Sequence, residues 1–231
     1  MPKFIILAIY LISLFTFSAG PKGNVVSSTA TDTYALDNEN IPKISGHLTQ
    51  ELLSELNSLY IKKPYSHIIA ENISGGVQAP AIAIANFIFD RNISVIFSGY
   101  CHSACANYIL PAAKIKIVMP NTKFGWHGCS AKPASTQAEI EAIERFFDSE
   151  TLATMKQEEA SFYQKVGVNQ AICTCGMNES TKTPMFYYNP KDLYKFGIRD
   201  FYILQEEKDW LKNYQAYSNT YSMTEACTTK Q

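Results

Sequence analysis

Ser103 lies in the stretch Gly99-Tyr100-Cys101-His102-Ser103-Ala104-Cys105-Ala106, with the β-branched run Asn92–Phe97 before it and small, apolar residues after it as far as Leu110. The first run reads as a buried strand and the second as a helix that starts inside the protein. A serine at such a turn displays its hydroxyl, and backbone N–H groups point outward beside it. That geometry suits a nucleophile with its oxyanion hole, and it equally suits a plain helix cap. Two other stretches bear on the choice. His127 follows in an extended segment, Phe124–Cys129, and histidine is the usual base near neutral pH. Gly75-Gly76 comes directly after a strand-like run, where glycine lets another group approach the main chain. Together Ser103, His127 and the amides of Gly75, Gly76 and Ala104 are the parts needed to form and break an acyl-serine ester.

The cysteines allow a rival chemistry. Cys101, His102, Cys105, His127 and Cys129 are all zinc-ligand types, but their spacing fits no zinc motif, so no metal is expected. Cys105 as the nucleophile is disfavoured, because an apolar helix interior raises a thiol pKa. The six cysteines, at 101, 105, 129, 173, 175 and 227, fit a disulfide-bonded chain in an oxidising compartment. Cys101 and Cys105 read as structural, bonded to each other or to Cys129. A Cys101–Cys129 bridge would tie the histidine strand to the serine turn. His47, His67 and His102 read as surface or turn residues.

Export is also suggested by the N-terminus. Lys3 precedes the almost wholly apolar run Phe4–Phe17, and Ser18-Ala19-Gly20 follow, the layout of a signal peptide over residues 1–20. The run is shorter than a spanning helix requires. Phe17 and Pro21 make the cleavage site imperfect, so an uncleaved anchor stays open. The chain is thus expected in the periplasm or secreted, with no stable membrane span after cleavage. Lys and Arg number 20 against 21 Asp and Glu, which leaves no basic stripe for nucleic acid.

The elements that must position these groups alternate. Residues 21–40 are polar and read as a flexible leader. A short strand and turn at Lys43–Gly46 precedes an amphipathic helix over 48–60, and His67–Asn72 reads as a strand. A helix over 78–90 carries the sheet-facing set Ala81, Ile84, Ala85 and Ile88. A strand at Lys114–Met119 follows the serine stretch. Thr136-Gln137-Ala138-Glu139 is a capping box that opens a helical pattern reaching about Val166. Near the end come a short helix from Asn189 to Gly197 and a strand over 200–204. Residues 205–231 form a polar tail with a possible peripheral helix. Strands alternating with helices predict a single α/β domain over 41–204 with ligands at the loops after the strands.

In this order the motifs resemble the Clp protease/crotonase superfamily, and its Clp-type serine peptidases above all. Asn72-Ile73-Ser74-Gly75-Gly76 resembles the family's Asn-Ser-Pro-Gly-Gly, and the Ala-Ile-rich helix after it fits as well. Cys101-His102-Ser103-Ala104-Cys105 resembles the nucleophile turn. Met119-Pro120-Asn121 followed by His127 resembles Leu-Pro-Asn and the base strand. Phe196-Gly197-Ile198 with Asp200 is similar to the closing Tyr-Gly-Leu-Val-Asp. The resemblance implies a ClpP/crotonase-like spiral of ββα units, with Ser103 as nucleophile, His127 as base and Gly75, Gly76 and Ala104 as oxyanion hole. It implies a peptide or protein substrate and assembly of copies through residues 136–166, a helix that could instead cover its own sheet. The family's aspartate would fall near Thr181–Pro184, where no carboxylate stands; Glu179 and Asp192 flank the gap. The alternative is an inactive binding or assembly module of the same fold. Acyl-CoA chemistry of the crotonase kind is disfavoured by export, and no cofactor is expected.

Overall fold

The computed structural model describes residues 41–130, 141, 147–176, 185–206, 209, 212 and 220–221. The expected signal peptide and leader, the capping box at 136–139, Glu179 and nearly all of the tail lie outside these.

Strand β1 (Lys43–Leu48) leads into helix α1 (Gln50–Lys62). The helix starts after Leu48 because Thr49 caps it, its hydroxyl accepting the Leu52 N–H at 3.3 Å. Strand β2 (His67–Gly76), helix α2 (Gln78–Asp90) and strand β3 (Ser94–His102) follow. Helix α2 buries the predicted face Ala81, Ile84, Ala85 and Ile88. After β3 comes a π-helical turn, Cys105–Ile109, that runs into the short helix α3 (Leu110–Ala112). Strands β4 (Lys116–Val118) and β5 (Lys123–Gly125) precede helix α4 (Ser149–Val166). The chain closes with 3-10 turns at Gln170–Cys173 and Pro190–Phe196, strands β6 (Tyr187–Tyr188) and β7 (Phe201–Ile203), and β8 (Thr220–Tyr221).

The main sheet runs β1-β2-β3-β4-β7 with β5 also beside β3, and every one of these pairings is parallel. This is the expected α/β class. Parallel strands covered by helices read as near-continuous apolar runs, and Ile68, Val95, Phe97 and Val118 are fully buried.

Two strands are longer than their composition suggests, and both extensions serve the serine turn. The β-branched part of β3, Val95–Phe97, pairs with β4. Its continuation pairs with β5, Tyr100 opposite Lys123, Cys101 opposite Phe124 and His102 opposite Gly125. Likewise β2 does not stop at Asn72, because His47 and Leu48 of β1 pair with Gly75 and Gly76. The glycine pair is therefore the last rung of a sheet and not a free loop.

The helical pattern over 136–166 is interrupted at Asp148, whose backbone is extended and whose carboxylate accepts the Thr151 N–H at 2.7 Å as the cap of α4. Helix α4 turns Glu159, Phe162 and Tyr163 into its own fold, so one of its faces covers this chain. Gly167 ends it at φ 69°.

Two disulfides decide between the alternatives left open for Cys101: the bond to Cys105 is present, and the Cys101–Cys129 bridge is not. Cys101 pairs with Cys105, their Cα atoms 5.2 Å apart across the serine turn, and Cys129 pairs with Cys173. Cys175 is disulfide-bonded as well. The histidine strand is thus tied to the 3-10 turn after α4 instead of to the serine turn. A non-reduced digest should yield linked peptides for Cys101–Cys105 and Cys129–Cys173. A peptide linking Cys101 to Cys129 would contradict the assignment.

Candidate active site

The turn that carries Ser103 is made by three constraints acting together. Cys101 and Cys105 are bonded across it. Ser103 N–H donates to Gly125 O at 2.8 Å, one step beyond the last β3–β5 rung. Ser103 O accepts the Asn107 N–H at 2.9 Å, which starts the helical stretch. Between these the residue takes φ 56°, in the left-handed region that side chains rarely adopt. Such a backbone costs about 1–3 kcal/mol and persists only where its surroundings dictate it. The result swings the hydroxyl out of the strand and toward His127.

His127 lies two residues past β5 and is exposed. Its neighbours are fixed by backbone bonds between Trp126 and Phe186, N–H to carbonyl in both directions at 2.9 and 2.7 Å. The fully buried Trp126 ring stacks on Phe186 and packs on Tyr188. From this footing His127 Nε2 reaches Ser103 Oγ at 2.6 Å. A serine hydroxyl at hydrogen-bond distance from an imidazole nitrogen can pass it its proton.

Gly75 forms the wall behind the serine. Its φ is 118°, and a Cβ built there would sit 2.7 Å from Ser103 Cβ and 3.1 Å from Oγ. Any side chain at this position would push the serine away, so glycine is needed on both counts. Gly76 faces the other way, a Cβ there meeting Leu48 O at 2.5 Å. Ala104 has helical backbone and stands at the head of the helical stretch, so its N–H has no intrahelical acceptor. The structure thus brings Ser103, His127 and Gly75 into one contact group, with Gly76 and Ala104 as chain neighbours.

Of the two flanking acids, Glu179 lies outside the described residues. Asp192 is bonded to Lys195 Nζ at 2.6 Å. Among the described residues, the hydrogen bond to Ser103 is the one His127 makes. Gly125, whose carbonyl anchors the serine turn, has no signal in the sequence beyond lying in an extended run.

His102 is half-buried. Its ring stacks on Tyr100 at 4.8 Å and meets Tyr187 edge-on at 6.1 Å, and its buried Nε2 has no partner among the described residues. Burial, reinforced by the positive Lys123 and by His127, pushes its pKa down to about 4. His102 therefore stays neutral beside His127. Among the described residues, His47 Nε2 lies 3.4 Å from Ser74 Oγ and His67 Nδ1 lies 2.9 Å from Ser66 Oγ.

Because the folded pKa of His102 is below the unfolded value of about 6.5, the unfolded chain takes up the proton first as pH falls. The contribution of His102 to stability is complete above that value and declines from about pH 6.5 toward about pH 4. Its ring protons in an NMR titration should hold their neutral shifts at pH 5.5, and a midpoint near the unperturbed value would refute this.

No protein-family model matches the chain, and no curated protein matches it. Among solved structures it is similar to a ClpP1 mutant from Listeria monocytogenes, with a TM-score of 0.48 and 18% sequence identity, over 74% of this chain and 94% of that one.

Proposed function

We propose that the chain is an exported serine hydrolase, a peptidase that works through an acyl-enzyme. The observation that carries this reading is the 2.6 Å approach of His127 Nε2 to Ser103 Oγ at a left-handed serine. In this reading His127 takes the hydroxyl proton as Ser103 Oγ attacks the acyl carbon. The carbonyl oxygen becomes an oxyanion beside the amides of Ala104 and of Gly75-Gly76, where fixed dipoles stabilise it without reorganisation. His127 then gives its proton to the leaving group. Water, deprotonated by the same imidazole, releases the acyl product and restores the serine.

Export is supported by the disulfides Cys101–Cys105 and Cys129–Cys173, which persist in oxidising compartments. No helix among the described residues is long and apolar enough to cross a membrane. The residues 136–166 proposed for assembly of copies include α4, whose face opposite Phe162 and Tyr163 is exposed.

A second reading, an inactive binding or assembly module, is favoured by one observation: no carboxylate among the described residues bonds His127. Loss of an orienting acid costs a serine triad about 10⁴ in kcat. Covalent labelling separates the two readings without needing a substrate. A fluorophosphonate probe should label the wild-type protein and leave Ser103→Ala unlabelled. Equal labelling of both, or none of either, would favour the module.

A further inference from the structure

We infer that Asn107 is a positioning residue that sets the distance between Ser103 and His127. The inference rests on the reading of those two residues as a reactive pair. Asn107 touches neither reacting atom, and its three polar contacts each reach a different part of the site. Its backbone N–H donates to Ser103 O at 2.9 Å, holding the serine turn. Its side-chain Nδ2 donates to Gly128 O at 3.0 Å, holding the peptide next to His127. Its own carbonyl accepts from Tyr163 OH on α4 at 2.9 Å. One buried residue therefore spans the nucleophile helix, the base strand and the helix that covers both.

The side chain is poorly placed for stability alone. Asn107 is 3% exposed in a stretch that is otherwise apolar or aromatic, Ala104 to Ala112. Its Oδ1 is buried with no partner among the described residues. An amide flip would not help, since it would set Oδ1 against the Gly128 carbonyl. A half-satisfied buried amide is a cost that an apolar residue of similar size avoids. What the amide provides is a fixed tie to the residue beside the base. The surrounding helix is a π-turn, closed by the Leu110 N–H on Cys105 O. Wide turns of this kind are frequent at functional sites.

A second tie runs in parallel from the same helix. Tyr108 OH donates to Glu159 Oε1 at 2.5 Å, while Ser130 Oγ on the base segment donates to Glu159 Oε2 at 2.6 Å. Gln170 Nε2 adds a bond to Oε2 at 3.0 Å. Burial and the neighbouring Glu159 push the Tyr108 pKa up, so the phenol keeps its proton and remains a donor. Glu159 thus holds helix and base segment at one further point, and Asn107 fixes the interval closest to the chemistry.

The test is the kinetics of fluorophosphonate inactivation, which separates reaction (kinact) from probe binding (KI). Asn107→Leu removes the tie to Gly128 and the orphaned oxygen together. It also takes the donor from the buried Gly128 carbonyl, so its melting temperature should stay close to that of wild type, KI should be unchanged, and kinact should fall by about 10²-fold, the effect of a misplacement near 1 Å. Asn107→Asp keeps the shape and sets an acceptor against Gly128 O, and its kinact should fall at least as far. It decides the matter should the leucine variant not fold. Wild-type kinact in a folded variant would overturn the inference while leaving the reactive pair intact. Absence of labelling in the wild-type protein would instead overturn the pair, and the role of Asn107 with it.

Discussion

Pairing of the upper half of β3 with β5 places His102 opposite Gly125, and the Ser103 N–H extends that ladder onto Gly125 O at 2.8 Å. The rest of the site depends on this junction. The lower half of β3 is held by β4, which stops at Val118, so the upper half is free to take β5 as a new neighbour. The residues immediately beyond the two strand ends are then Ser103 on one side and Trp126-His127 on the other. A hydrogen-bonded serine and histidine result from register, with no long loop required to bring them together.

Holding the serine there has an energetic cost that neighbouring contacts offset. The left-handed backbone at Ser103 is disfavoured by about 1–3 kcal/mol. The Cys101–Cys105 bond limits how far the turn can relax, and the Asn107 N–H engages the serine carbonyl. Gly75 leaves only enough room behind Ser103 for a hydrogen, which keeps the hydroxyl directed at His127. On the histidine side, the Trp126–Phe186 bridge and the Cys129–Cys173 bond bracket His127 from both directions. Rigid neighbours of this kind are what a preorganised site requires.

The sequence made the fold and the contact group legible for identifiable reasons. Helix α2 announces itself through Ala81, Ile84, Ala85 and Ile88, which share one face at helical spacing and are all buried. Ser103, His127 and Gly75 are short-range signals at strand ends, and they come together. Partner choice across the sheet is not a local property, so the extension of β3 to His102 and the pairing of Gly75-Gly76 with β1 could not be read from composition. Of the disulfides, the local Cys101–Cys105 pair was among the sequence alternatives, whereas the Cys129–Cys173 pair spans 44 residues and could not be read from spacing. His102 resembles a turn residue in sequence and is packed between Tyr100 and Tyr187. Asn107 did leave a trace, as the lone amide in the apolar stretch from Ala104 to Ala112, but its meaning depends on Gly128 lying across from it.

The proposed chemistry depends on activation of Ser103 by His127. The most direct measurement is the second-order rate of Ser103 phosphonylation in His127→Ala against wild type at one pH, with melting temperatures matched. General-base assistance contributes about 10²–10⁴-fold, so the rate should fall by at least about 10²-fold in the variant. Equal rates in the two folded proteins would contradict it.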